Sequence, residues 1–270
     1  MINHDEEGFY SVAVEAALSA GEYVLENLGG LSIDEISSKQ SSDFVTRVDK
    51  ESEEIIINVI RHRYPDHSFL AEESVKESTG EYRWIIDPLD GTTNYIHGFP
   101  VFSISVALEH QGDIITGVVL DPTRNELFTA TKGKGVFLNG KPVYISDITD
   151  LASGLISTGF PFRRKDMIEE YLYVFRSIFD KVSDLRRAGS AAIDLAYLAA
   201  GRCDGFFEIG LGAWDIAAGS LLVKEAGGIV TDFGGGHNYL ATGNIVAGTP
   251  VTHEKILKEI QNIFTGILDE

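Results

Sequence analysis

The sequence predicts a mixed α/β chain built of sheet layers flanked by helices. Two patterns carry this prediction: short extended runs alternate with turn residues from Ser68 to Ile145, and helical and extended segments alternate after about Ser146. The third observation is one of scale. At about 150 residues per domain, 270 residues make one large domain or two tightly joined ones, with length enough for a full core.

The segment before Pro65 reads as two helices. Asp49, followed by Glu51, Glu53 and Glu54, marks the start of the second, with acids in the first turn where the helix dipole favours them. Ile55, Ile56, Val59 and Ile60 form its apolar face, and Pro65 follows its end. In the middle region Gln111-Gly112-Asp113, Asp121-Pro122-Thr123, Gly133-Lys134-Gly135 and Asn139-Gly140 punctuate the extended runs, which predicts an antiparallel meander. Further on, Ser190 to Ala200 predicts a helix stopped by Gly201, Cys203 to Glu208 a strand, Asp215 to Ala226 a helix, and Ile229 to Thr231 a strand. The last helix is expected to be capped by Thr252, with Ile256, Leu257, Ile260, Ile263, Phe264 and Ile267 on one face. No long linker separates the two patterns near Ser146–Ser153. Residues 1–146, the N-terminal helices and antiparallel sheet, and residues 147–270, the α/β half, are therefore expected to fuse into one compact unit.

Composition removes several function classes. With 22 Lys+Arg against 41 Asp+Glu the net charge is −19, which opposes direct nucleic-acid or anionic-membrane binding. A lone cysteine, Cys203, excludes an internal disulfide framework and a Cys-rich zinc site. The acidic start, Met1 to Glu7, lacks the features of a signal peptide. The uncharged stretches Gly91–Leu108 and Phe233–His253 are broken by Gly and Pro and do not read as membrane spans. A cytoplasmic location is expected.

The informative segment is Trp84-Ile85-Ile86-Asp87-Pro88-Leu89-Asp90-Gly91-Thr92-Thr93-Asn94. An apolar strand ends in an acid, a proline imposes extended geometry on it, and a second acid follows. Gly91 permits a tight turn, and the Thr pair can open a helix. No Lys or Arg lies between Arg83 and Arg124. Two carboxylates about 4 Å apart repel by roughly 4 kcal/mol at an effective dielectric near 20. Brought together, they must share a proton, find a distant cation or bind a metal. Oxygen-only donors favour a hard cation such as Mg²⁺. The blander alternative makes Asp87 a turn cap and Asp90 a solvated loop acid. Two further acidic spots matter: Glu72-Glu73-Ser74, just after the strand candidate Ser68 to Leu70, and Asp215 after Trp214 at a helix start, where an N-cap is the commoner role for Asp.

These residues resemble a known family. Trp84 to His97, with Asp87-Pro88-Leu89-Asp90-Gly91-Thr92-Thr93 at its centre, is similar to the first signature of the inositol monophosphatase family, and Trp214-Asp215-Ile216-Ala217-Ala218-Gly219 to the second. Glu72-Glu73-Ser74 fits as well, and the similarity runs from Val45 to the final helix. Arg186 to Ala192, followed by Gly205-Phe206-Phe207-Glu208, resembles the bacterial branch. The resemblance implies a layered α-β-α-β-α sandwich of the inositol monophosphatase and fructose-1,6-bisphosphatase type.

It also implies Mg²⁺-dependent hydrolysis of a small phosphate monoester by a metal-activated water, with two or three ions, sensitivity to Li⁺, and a homodimer. Carried over by position, Glu72, Asp87 and the Leu89 carbonyl would hold one ion, and Asp87, Asp90 and Asp215 a second; a third, weaker ion would sit near Glu72. Gly91 and Thr92 would offer N–H groups to the phosphate, and Thr92, hydrogen-bonded to Asp49, would orient the water with Glu72. Because Asp49 also reads as a helix cap, one carboxylate is not expected to fill both roles with good geometry. Ser190, Ala191 and Glu208 would face the alcohol, although Ser190 reads equally as an N-cap. Arg186 and Arg187 could reach a second phosphate on a sugar bisphosphate but are expected to pair with surface acids, Lys39 to be exposed, and Cys203 and His97 to be structural. Ala71 stands where many members have Gly.

Inositol 1-phosphate is the expected substrate, with fructose 1,6-bisphosphate or a nucleotide 3′-phosphate as the alternatives. An aspartyl-phosphate mechanism needs acids two residues apart; Asp87 and Asp90 are three apart with Pro88 between them. A regulatory, protein-binding role with dispensable catalysis is the reading from a different class.

Overall fold

Two helices cover one face of a sheet because each carries an apolar stripe. In the computed structural model, which describes residues 5–40, 43–75 and 80–264, helix α1 (Glu6–Glu26) is capped by Asp5 and buries Phe9, Val12, Ala13, Ala16, Ala17 and Ala20. A small antiparallel hairpin of β1 (Ile36–Gln40) and β2 (Asp43–Thr46), not foreseen from the sequence, leads into α2 (Arg47–Arg63). This helix starts earlier than the acid run suggests. Thr46 is the N-cap and Asp49 the third helical residue, in a capping box. Its buried face carries Ser52, Glu53, Ile56, Ile57 and Ile60, with Ile55 and Val59 only partly buried, while Glu51 pairs with Arg47 at 2.8 Å.

The large sheet then builds in chain order from β3 (Ser68–Ala71) and β4 (Tyr82–Asp90). After α3 (Thr92–Ile96) it continues with β5 (Ser103–His110), β6 (Asp113–Asp121), β7 (Glu126–Thr131), β8 (Val136–Leu138) and β9 (Lys141–Val143). From β4 onward it is the expected antiparallel meander, but β3 runs parallel to β4. Parallel pairing depends on where the connection returns the chain, which strand periodicity does not encode.

The second half contributes β10 (Leu155–Thr158), α4 (Ile168–Phe179), β11 (Asp184–Arg186), α5 (Ala191–Ala199), β12 (Gly205–Glu208) and α6 (Ala213–Glu225). It ends with β13 (Ile229–Thr231), α7 (Tyr239–Thr242), β14 (Ile245–Gly248) and α8 (Pro250–Phe264). Its strands form a mixed five-stranded sheet in the order β11-β10-β12-β14-β13. The cap of α8 is Thr249, whose Oγ1 accepts the Thr252 N–H at 3.2 Å, so Thr252 lies inside the helix and Pro250 at its first position. Ile267, assigned to the same apolar face, lies outside the described residues, as do Met1 to His4.

The layers follow from what each helix touches. Helices α1 and α2 lie on the outer face of the large sheet, α5 and α6 between the sheets, and α4 and α8 on the outer face of the small one. Buried residues of α5 and α6, among them Leu195, Leu198, Ile216 and Leu222, fill the central core. Helix α6 is apolar on nearly every side because sheets or helices surround it. The α-β-α-β-α order is therefore present. Among the described residues no helix is long and apolar enough to cross a membrane.

Candidate active site

The C-terminal end of β4 and the N-terminal ends of α5 and α6 meet at one cavity between the halves. Strand β4 pairs Asp87 with Ser105 and Asp90 with Ser103, so the ladder is irregular across Pro88, which has no N–H to give it. Asp87 Oδ1 accepts the Leu89 N–H at 3.0 Å. Gly91 then turns the chain at φ 96°, where a Cβ would sit 2.9 Å from the Val101 carbonyl oxygen. Helix α3 starts there without a side-chain cap.

Asp90 is fixed from the other half. Its Oδ2 accepts the Ser190 hydroxyl at 2.6 Å and the Ala192 N–H at 2.8 Å, while Ser190 Oγ caps α5 by accepting from Ile193 N–H at 3.3 Å. Ser190 is thus both the N-cap and a partner of Asp90, and is buried. Asn94 clamps the preceding loop: its Nδ2 donates to Val101 O at 2.7 Å and Ala188 O at 3.0 Å. Asp215 is the third residue of α6, not its cap, and its Oδ2 accepts the Gly212 N–H at 2.6 Å.

Oxygens of Asp87, Asp90 and Asp215 lie within 4.8 Å of one another. Burial, then repulsion from Glu72, Asp90 and Asp215, drives the Asp87 carboxyl well above the usual range. Burial and the neighbouring Asp215 push Asp90 up to about 7. Buried acids that raise one another in this way, all oxygen donors, suit a hard divalent cation. The sequence correctly shows no local basic partner, but a distant one arrives: Arg163 Nη1 is 2.6 Å from Asp215 Oδ2, and its Nη2 is 3.5 Å from Glu72 Oε1.

Asp49 makes both of the hydrogen bonds that seemed incompatible. Its Oδ2 accepts the Thr46 N–H at 2.8 Å and closes the capping box, while Oδ1 accepts the Thr92 hydroxyl at 2.8 Å. Burial raises its pKa, and the Thr46 and Thr92 hydrogen bonds oppose the rise. Thr92 Oγ1 also lies 3.1 Å from Leu89 O.

The cavity holds about 380 Å³, a size that suits a small molecule. Glu72, Asp87, Leu89, Asp90 and Asp215 line one part of it, Gly91 and Thr92 the turn, and Ser190, Ala191 and Glu208 the far wall. Every residue singled out for the site therefore borders the cavity except Asp49, which stands behind Thr92. Glu208 is buried with its carboxyl driven up by desolvation and then by Asp194.

Two charged lining residues, Arg163 and Asp194, escaped the sequence reading, and the sequence assigns a third, Arg187, to the surface. Arg163 follows the turn Gly159-Phe160-Pro161-Phe162 after β10, and a basic residue just beyond a strand end was its only signal. Asp194 is a lone acid in the Ala- and Leu-rich α5. Arg187 lines the cavity 5.5 Å over the Phe160 ring, whereas Arg186 pairs with the exposed Asp184, as expected of both arginines. Cys203 is buried; His97 is exposed at the end of α3. The side chain of Lys39 lies outside the described residues.

Comparison with known proteins gives a consistent result. The profile described as the inositol monophosphatase family matches residues 5–265. The chain is 50% identical over 260 residues to Nus factor SuhB of Escherichia coli K12, covering 96% of this chain and 97% of that protein. The crystal structure of extragenic suppressor protein suhB from Bartonella henselae superposes with a TM-score of 0.89 at 41% identity, covering 94% of this chain and 98% of that one. Inositol monophosphatase from Anabaena (Nostoc) sp. PCC 7120 gives 0.86 at 37% identity, with 95% and 96% covered.

Proposed function

This chain belongs to the inositol monophosphatase family, and from that premise we propose that it is a Mg²⁺-dependent phosphate monoester hydrolase acting by preference on inositol 1-phosphate. The convergence of Asp87, Asp90 and Asp215 at one cavity is the observation that carries the reading. Glu72, Asp87 and the Leu89 carbonyl would hold one ion, Asp87, Asp90 and Asp215 a second, and Glu72 would adjoin a third. Bound there, the cation supplies a Lewis acid that offsets phosphate charge and lowers the pKa of a water.

The chain's own groups do the rest. Thr92 directs its proton to Asp49 and keeps an oxygen lone pair for the attacking water, with Glu72 as the second acceptor. Gly91 and Thr92 contribute backbone N–H donors to the phosphate. On the alcohol side Glu208 meets the hydroxyls, and the turn at Ser190 and Ala191 borders them. We also read the two halves as one cytoplasmic unit that pairs into a homodimer.

A substrate panel tests the reading. Inositol 1-phosphate, fructose 1,6-bisphosphate and a nucleotide 3′-phosphate are offered with Mg²⁺ and with EDTA. Fast turnover of the first, abolished by EDTA and inhibited by Li⁺, is expected. Undiminished hydrolysis in EDTA would refute the metal dependence, and negligible turnover of inositol 1-phosphate beside fast turnover of another ester would refute the substrate.

The name of the Escherichia coli relative, Nus factor SuhB, favours a second reading: a protein-binding role in transcription that does not need catalysis. Rescue of a deletion phenotype by the inactive Asp87→Asn variant would support it.

A further inference from the structure

Helix α2 presents three buried polar side chains on one face, and each holds a different loop of the site. Asp49, Ser52 and Glu53 are at most 1% exposed, and their spacing places them side by side. Asp49 holds Thr92, and the Ser52 hydroxyl donates to the Pro88 carbonyl oxygen at 2.9 Å, between Asp87 and Leu89. Glu53 Oε2 accepts the Glu73 N–H at 2.7 Å, and its Oε1 accepts the Ser74 hydroxyl. Both partners belong to the turn that follows Glu72.

A buried carboxylate is costly unless its oxygens are satisfied, and this turn satisfies both. On its other side the turn is tied to β4, where the Glu72 N–H donates to the Ile86 oxygen at 3.2 Å. The backbone that carries the Glu72 side chain is therefore held between β4 and Glu53.

We propose that Glu53 is a positioning residue for the cation site, setting the place from which the Glu72 carboxylate reaches toward Asp87. With Ser52 and Asp49 acting on the Pro88 turn and on Thr92, α2 serves as the template on which the site is assembled. This rests on the reading of Glu72 as a Mg²⁺ ligand.

Calorimetric titration of Mg²⁺ into the full chain, without substrate, separates position from charge. Glu53→Gln keeps the reach and an acceptor for the Glu73 N–H; Glu53→Asp keeps the charge and shortens the reach by a methylene. Positioning predicts Mg²⁺ affinity within about threefold of wild type for Gln and weakened about tenfold or more for Asp. The reverse order, which a through-space charge effect would give, overturns the proposal, as does equal affinity in all three proteins. Melting in EDTA shows whether each variant folds. Should the Asp variant fail to fold, Ser74→Ala replaces it: affinity weakened about threefold supports the proposal, and wild-type affinity overturns it. A wild-type chain that binds no Mg²⁺ overturns the cation-site reading and this inference together, whereas the other failures overturn this inference alone.

Discussion

Asp49 and Thr92 are joined by a 2.8 Å hydrogen bond from the Thr92 hydroxyl to Asp49 Oδ1, and Asp49 Oδ2 simultaneously caps α2. One carboxylate thereby ties the start of a helix to a residue of the cavity wall. Thr92→Ala is expected to lower kcat about 100-fold or more while KM stays within about threefold, because in the proposed mechanism the hydroxyl acts on the water and not on the ester. Asp49→Asn should show the same kinetic loss and in addition destabilise the fold by about 1 kcal/mol through the weakened cap. Steady-state kinetics with chemical denaturation checks both.

Arg163→Gln leaves Asp215 and Glu72 without their close cation. In EDTA the variant is expected to lose about 2 kcal/mol of stability. Added Mg²⁺ should restore most of it, so the melting shift on adding Mg²⁺ becomes larger than in wild type. An equal shift in both proteins would contradict this.

Acidity should act on the metal-free protein through Asp90, whose carboxyl sits at about 7 against 3.8 in an unfolded chain. A raised native value means that the folded state keeps a proton the unfolded chain has released. That contribution is complete below the unfolded value and is lost as pH rises through the native one. Melting temperature in EDTA should therefore fall between about pH 4 and about pH 7, and saturating Mg²⁺ should flatten the slope.

Gly159 leaves the space that the Glu208 carboxylate occupies; a Cβ there would overlap it. Gly159→Ala should displace Glu208 and raise KM for inositol 1-phosphate about tenfold. Phenyl phosphate, which lacks the polyol, should be affected far less. Parallel kinetics on the two esters decides the matter.

His67 stacks between Tyr64 and Tyr82, with ring centroids 4.8 Å from each, and its Nδ1 accepts the Trp84 indole N–H at 3.0 Å. Burial lowers its pKa below 6.5, with Asp66 opposing. A depressed value stabilises the fold above the unfolded pKa, and the gain is lost as pH falls through the native one. The cost of His67→Phe should therefore be larger near pH 8 than near pH 5, measured by denaturation followed on tryptophan fluorescence.

Local chemistry made much of this molecule legible. The Asp-Pro-Leu-Asp-Gly run announces a strand end and a turn, and Asp215 announces a helix start, because each signal lies within a few residues of its effect. Long-range partners left no such mark. Arg163 meets Asp215 and Glu72 from 52 and 91 residues away, and β3 pairs with β4 in an orientation set by the connection between them. Helix α2 shows the same limit: its buried face runs through Asp49, Ser52, Glu53, Ile56, Ile57 and Ile60 rather than through Ile55 and Val59, because the partners that satisfy the buried acids come from distant loops that apolar periodicity does not register.

The partners of Asp90 at Ser190 and Ala192, and the guanidinium beside Asp215, all lie downstream of the sheet that bears the first acids. A nascent polypeptide that has emerged only as far as β9 thus holds Asp87 and Asp90 at an unfinished sheet face, without the Ser190 and Ala192 donors to Asp90 and without the Arg163 guanidinium. The acidic pocket can therefore be completed only after the segment through α6 has been made, which places its assembly late in synthesis.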